Sequence, residues 1–127
     1  MSEQKGCYRA ALTATAATTG GAVLSLANPE GADLIVTRFI LNITTKSTGA
    51  ANLDAGIAAG ATTSSDNLID GKAVGSAAGI WDSADGTDQG TNGYASATWD
   101  SDEYLTITGS ATTAGLVGYA YIEYVRV

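Results

Sequence analysis

Asp33-Leu34-Ile35-Val36-Thr37-Arg38-Phe39-Ile40-Leu41-Asn42-Ile43-Thr44 is the stretch from which the fold follows. Its odd positions, Ile35, Thr37, Phe39, Leu41 and Ile43, alternate as one face of a β-strand does. Its even positions, Leu34, Val36, Arg38, Ile40, Asn42 and Thr44, are mixed rather than polar, so the second side also wants cover. Gly115 to Val127 repeats the pattern. Leu116, Ala120, Ile122 and Tyr124 fall on one face, and Val117, Tyr119, Tyr121, Val125 and Val127 fall on the other.

Weaker strand signals surround these two. Val23, Leu24 and Leu26 end at Asn28-Pro29-Glu30-Gly31, where proline fixes φ and withholds a ladder donor, so a strand stops there. Ala10 to Thr18 reads as an extended, edge-like segment. Leu53, Ala55 and Ile57 alternate; Ile80-Trp81 and Ala95 to Trp99 are short runs; Leu105 and Ile107 share a face of Tyr104 to Thr108. Asn92-Gly93 is a tight-turn dipeptide. Ser64-Ser65-Asp66 can start one helical turn, which Gly71 ends. Nowhere is a 3.6-residue period sustained. Seven or eight short strands with turn signals about every ten residues predict an all-β chain. The expected fold is a single-domain antiparallel β-sandwich, jelly-roll-like; an orthogonal barrel fits the same pattern.

The composition narrows function. The 127 residues hold six basic and thirteen acidic side chains, one cysteine and no histidine, for a net charge of −7. A Ser-His-Asp triad and His-ligated metal are therefore excluded, and Cys7 alone makes neither an internal disulfide nor a cysteine-built zinc site. No phosphate loop or nucleophile elbow occurs, and the reading is of a non-enzyme without a cofactor. Nucleic acid is an unsuitable partner because phosphate binding needs clustered Lys and Arg. No apolar run approaches the ~20 residues of a membrane helix, so no membrane partner is expected. Met1 to Gly6 carries no apolar stretch after its charges, so no secretory signal is expected.

Strands that are apolar on two sides call for a second covered surface, and a symmetric homo-oligomer supplies one. Val117, Tyr119 and Tyr121 are the candidate subunit contacts, since aromatic residues are enriched at interfaces. An exposed apolar stripe, or a long loop laid across the sheet, is the alternative. Residues 1–9, with Lys5 and Arg9, read as a flexible N-terminal arm that orders on docking to a neighbour, ahead of a domain over 10–127.

Three blocks resemble stretches of small structural proteins of tailed bacteriophages. They are Asn28-Pro29-Glu30-Gly31-Ala32-Asp33 running on to Thr45, Ala61-Thr62-Thr63-Ser64-Ser65-Asp66-Asn67-Leu68-Ile69-Asp70-Gly71, and Ala114-Gly115-Leu116-Val117-Gly118-Tyr119 running on to Val127. The resemblance implies a head decoration, or cementing, protein: a β-rich homotrimer on the capsid exterior, bound to the major capsid protein and made in the bacterial host cytoplasm. It carries over no catalytic residue.

Two further constellations have chemical readings. Asp82, Asp85 and Asp88 at three-residue spacing are a weak candidate for Ca²⁺; they do not fit the EF-hand pattern, and a solvated turn is the favoured reading. Trp81, Trp99 and Tyr104 beside acidic residues have the composition of a glycan-binding surface. This gives the alternative function, a carbohydrate- or receptor-binding module of a phage fibre or tail.

Overall fold

The computed structural model describes residues 4–127. In chain order the elements are β1 (Lys5–Ala11), β2 (Leu24–Ala27), β3 (Leu34–Thr45), β4 (Asn52–Ala58), β5 (Ile69–Ala73), β6 (Gly79–Asp82), α1 (Gly86–Gln89), β7 (Ala97–Trp99), β8 (Tyr104–Gly109) and β9 (Val117–Arg126). All pairings are antiparallel. One sheet has the order β1-β9-β3-β6, with β7 also on β3; the other has the order β2-β8-β4-β5. The fold is an antiparallel β-sandwich, as the alternating strands predict. Its pairing is nested: first strand with last, second with last but one.

The core lies between the sheets. Phe39, Leu41, Ile43, Ala120 and Ile122 from the first sheet meet Leu53, Ala55, Leu105 and Ile107 from the second, all essentially inaccessible. Each comes from alternate positions of its strand, as a period of two requires. Trp99 is also fully buried, and its indole N–H donates to the Glu103 carbonyl at 3.1 Å. That bond satisfies the one polar atom such a side chain brings into a core.

β3 corrects the sequence reading in an instructive way. Its register against β9 slips between Val36 and Arg38, leaving Thr37 as the extra residue of a bulge. The inward set is therefore Leu34 and Val36, then Phe39, Leu41 and Ile43. Parity changes in mid-strand, because an extra residue shifts every later side chain to the opposite face. Ile35 and Thr37 point outward, against the expectation of one continuous odd-numbered face. Much of the apolar character of the even positions is thus core, leaving Ile35 and Ile40 outside.

The bulge also organises the neighbouring edge. β7 pairs with Leu34 to Val36 and β6 pairs with Ile40 to Ile43, on either side of it. In the gap Ser83, fully buried, accepts from the Phe39 N–H at 2.8 Å and donates to the Ala95 carbonyl at 3.1 Å. Among the described residues the helical turn lies at α1, capped by Asp85, and not at Ser64-Ser65-Asp66.

The proposed arm needs revision as well. Residues 1–3 lie outside the described residues. Residues 5–9, however, belong to β1 and pair with β9 from Lys5↔Val125 to Arg9↔Tyr121. The boundary at residue 10 therefore falls inside a strand, and Lys5 and Arg9 are sheet residues in this chain. The weak alternation of Lys5 to Ala11 hides the strand because only Gly6, Tyr8 and Ala10 lie on the core side, with Tyr8 still 39% exposed, and none is a large aliphatic.

Candidate functional site: the outer face of the larger sheet

Register places the outward side chains of the larger sheet in rows. Ala11, Tyr119, Asn42 and Ile80 form one row, and Arg9, Tyr121, Ile40 and Asp82 the next. Cys7, Glu123 and Arg38 follow, then Lys5, Val125, Ile35 and Thr98. Val117, Tyr119 and Tyr121, predicted as contacts from the sequence, do share this face. So do Ile40 and Ile80, which the sequence reading did not select. Ile80 is 66% exposed and Val117 49% exposed. The signal for Ile80 was weak because β6 is only four residues long and its apolar partner Trp81 points the other way.

Charge on this face is arranged in pairs. Three of the six basic residues stand here: Lys5, Arg9 and Arg38. The Arg9 guanidinium lies 4.5 Å from the Tyr119 ring centroid, a cation–π geometry that also holds the ring in place. Arg38 donates from Nε to Asp82 Oδ2 at 2.9 Å and pairs with the same oxygen through its terminal nitrogen. That hydrogen bond holds the Asp82 carboxyl below its ordinary pKa and raises the guanidinium.

Beside these rows a hollow of about 570 Å³ opens at the bulge. Lys5, Gly6, Cys7, Thr37, Glu123, Tyr124 and Val125 line it. The Tyr124 ring passes under Gly6, where an added Cβ would come within 2.5 Å of ring carbons. The ring's hydroxyl donates to Glu30 Oε2 at 2.6 Å, and Arg126 binds both oxygens of Glu30, at 3.0 and 3.1 Å. These bonds hold the Glu30 carboxyl below its ordinary value, Arg126 contributing first.

The opposite sheet treats its outer face differently. Gly56, Asp54, Thr106 and Thr108 line it, and residues 59–67 fold back across it. The Thr106 hydroxyl donates to the Thr63 carbonyl at 2.8 Å, and the Ser25 hydroxyl donates to Ala61 at 2.9 Å. Asn67 Oδ1 accepts from the Ile57 N–H at 2.9 Å. A Cβ on Gly56 would lie 2.4 Å from Asn67 Oδ1 and 2.5 Å from Ser65 Oγ, so the absence of a side chain is what lets the loop seat.

The other predicted sites come apart. Trp99 is wholly buried, Trp81 faces the core side of β6 opposite Leu41, and Tyr104 lies on the other sheet opposite Ala27 and Ala58. They form no common surface for a glycan. A sequence places aromatics by number, and the sandwich sends neighbouring strands to different layers. Asp82 is engaged by Arg38, Asp88 by Lys72 Nζ at 3.0 Å and by the Asp82 N–H, and Asp85 by Thr87 at the start of α1. Among the described residues no group of three or more His, Cys, Asp or Glu is arranged to hold a metal ion. Also among them, no helix is long and apolar enough to cross a membrane.

No family model matches the chain, and no curated protein matches it. Among solved structures the chain is similar in fold to one described as the capsid of Ralstonia phage GP4, with a TM-score of 0.60 at 16% identity, over 97% of this chain and 84% of that one.

Proposed function

We propose that this chain is a non-enzymatic structural protein of a tailed-bacteriophage virion. It decorates and reinforces the outside of the capsid as a homotrimer, bound to the major capsid protein. The observation that carries the reading is the uncovered apolar face of the larger sheet: Ile40, Ile80, Val117, Tyr119 and Tyr121 on a rigid, strongly paired platform. An outward stripe of aromatic and aliphatic side chains gains by being removed from water, at roughly 25 cal/mol per Å² of apolar area. The smaller sheet already has its own loop as cover, so the asymmetry points to the larger sheet as the contact surface.

Two other features support the reading. The nested strand order fits the wrap of a jelly-roll-like sandwich. The fold likeness is to a chain from a phage capsid. The glycan-binding alternative loses its basis with the burial of Trp99.

The test is direct. Light scattering counts the chains in solution, and the purified protein is then mixed with undecorated capsids. Saturable binding with a raised temperature of head rupture is the expected result. A protein that leaves such capsids bare at high concentration would sink the decoration role. Labelling of Cys7, which is exposed on the same face, should be slowed when the protein is assembled.

A further inference from the structure

β1 ends the larger sheet on one side, and its pairing with β9 fixes which backbone groups point outward. The Arg126 N–H donates to the Gln4 carbonyl at 2.6 Å, and the Leu12 N–H donates to the Gly118 carbonyl at 3.0 Å. In this register the even-numbered residues of β1 bond to β9. Alternate residues of an antiparallel strand bond to opposite sides. The N–H and carbonyl groups of Cys7, Arg9 and Ala11 therefore point away from the sheet, and among the described residues nothing bonds to them.

The other edges are short or interrupted. β2 and β6 have four residues and β7 has three. β5 carries a register shift against β4, with Gly71 at a φ of 77°, and the Asn92 N–H ties the following loop to Asp70. β1 runs for seven residues in unbroken register and holds no proline. A long, regular edge is a template for one more strand.

The side chains select that strand. Tyr8 lies on the core side, opposite Ile122, and is still 39% exposed because the sheet stops beside it. A strand added beyond β1 covers the ring. When β1 pairs antiparallel with β1 of a second copy, one symmetric register overlaps the whole strand. It sets Lys5 against Ala11, Gly6 against Ala10, Cys7 against Arg9, and Tyr8 against Tyr8. The outward groups of Cys7 and Arg9 then bond to each other, twice by symmetry. The two Tyr8 rings meet in a non-hydrogen-bonded pair, where side chains approach most closely and aromatic pairs are favourable. The neighbouring symmetric registers set Lys5 against Arg9 or Arg9 against itself, and like charges directly opposite are destabilising. In the full-overlap register no like charges face each other. The Arg9 guanidinium is also drawn back over Tyr119 of its own chain, 4.5 Å from the ring centroid and away from the edge.

We infer that two copies of this chain join by their β1 edges, antiparallel about a two-fold axis at Tyr8, into one continuous sheet. The patch is self-complementary, as a two-fold contact requires. It is an edge and not a face, so it is separate from the outer-face contact of the proposed trimer. Between trimers held side by side on a capsid it forms the link.

The experiment reads the register with single cysteines. The native chain carries its thiol at position 7. Cys7→Ser with Tyr8→Cys moves it to 8, and Cys7→Ser with Arg9→Cys moves it to 9. Residues directly opposite fall within the Cα range of a disulfide, about 4.4–6.8 Å, whereas diagonal neighbours lie about 7–8 Å apart. Concentrated protein is oxidised mildly, and two-chain products are measured on a denaturing gel, whatever the number of chains in the native assembly. Position 8 should cross-link at least about tenfold faster than 7 or 9. Random collision favours the reverse, since 7 and 9 face outward and 8 faces the core side. A further variant reads the same register with Tyr8 intact. Arg9→Cys with Cys7 kept sets the two thiols opposite each other, and it should cross-link where neither cysteine alone does.

Equal rates at the three positions, a preference for 7 or 9, or no cross-linking at any of them would overturn the edge contact. Each of these leaves the trimer reading to its own count of chains by light scattering.

Discussion

The two sheets of this sandwich solve the same problem in opposite ways. Each has an inner face committed to the core and an outer face left over. On the smaller sheet the outer side chains are Gly56, Asp54, Thr106 and Thr108, and the chain's own residues 59–67 close over them through Thr106, Asn67 and Ser25. On the larger sheet the corresponding positions are Tyr119, Tyr121, Ile40 and Ile80, and no loop of the described residues covers them. Small, hydrogen-bonding residues make room for a loop; large apolar residues make a surface that a partner can bury. Side-chain size on the outer face therefore separates the covered side of the molecule from the side proposed for contact.

The sharpest way to break that distinction is to enlarge the covered face. Gly56→Val pushes a side chain into Asn67 and Ser65, so the loop must lift. We expect a loss of about 1–3 kcal/mol, the range for forced overpacking, read as a lower melting temperature, together with new proteolytic cleavage within residues 59–67. If melting is unchanged, the loop is not seated by the glycine.

Thr106→Val keeps the shape and removes the hydroxyl that satisfies the Thr63 carbonyl. The expected cost is about 1 kcal/mol, with faster amide exchange in residues 59–67 and no change in assembly. On the uncovered face the effects reverse. Tyr121→Ser should cost the dissociated chain about 1 kcal/mol, because a part-buried outward side chain contributes less to the monomer than a core one. It should nevertheless abolish capsid occupancy. A large stability loss with normal occupancy would exchange the roles of the two sheets.

Titration gives the finest discrimination. Asp54 sits on the covered face, where burial first and then Asp70 and Asp66 raise its pKa, against the Gly71 N–H bond that lowers it. A carboxyl raised in the folded state is destabilising when ionised, so Asp54→Asn should raise stability at pH 7. That gain should shrink as pH falls through the raised folded value and vanish below the ordinary 3.8. Glu30 has the opposite sign. Its pKa is lowered by Arg126 and Tyr124, so its contribution is present above the ordinary 4.5 and is lost as pH falls through the depressed folded value. Glu30→Gln should therefore weaken the protein at pH 7 and converge with wild type in acid. Denaturant midpoints measured across pH for both variants check the two signs together.

Local pattern carried the fold class a long way. Leu105 and Ile107, Leu53 to Ile57, and Leu116 to Tyr124 face inward as their period of two requires, because alternation is a property of the extended backbone itself. Val117, Tyr119 and Tyr121 were legible as a second face of β9 for the same reason. Ile80 and the hollow were not. Both depend on the bulge at Thr37, which has no glycine or other marker in sequence and arises from how β6, β7 and β9 share β3.

Alternation, turn chemistry and composition by themselves determined that the chain is all-β with short strands, that it holds no histidine and cannot close an internal disulfide, and that β9 presents aromatic residues on its second face. Each is fixed by residue identity or by spacing along a strand. Only the tertiary structure decided the rest: the change of parity in β3, the incorporation of Lys5 to Arg9 into the sheet, the burial of Trp99, and which of the two sheets keeps its outer face open. These follow from pairing between segments far apart in sequence. Whether an outward side chain meets water or a loop is settled by where the remainder of the chain comes to lie.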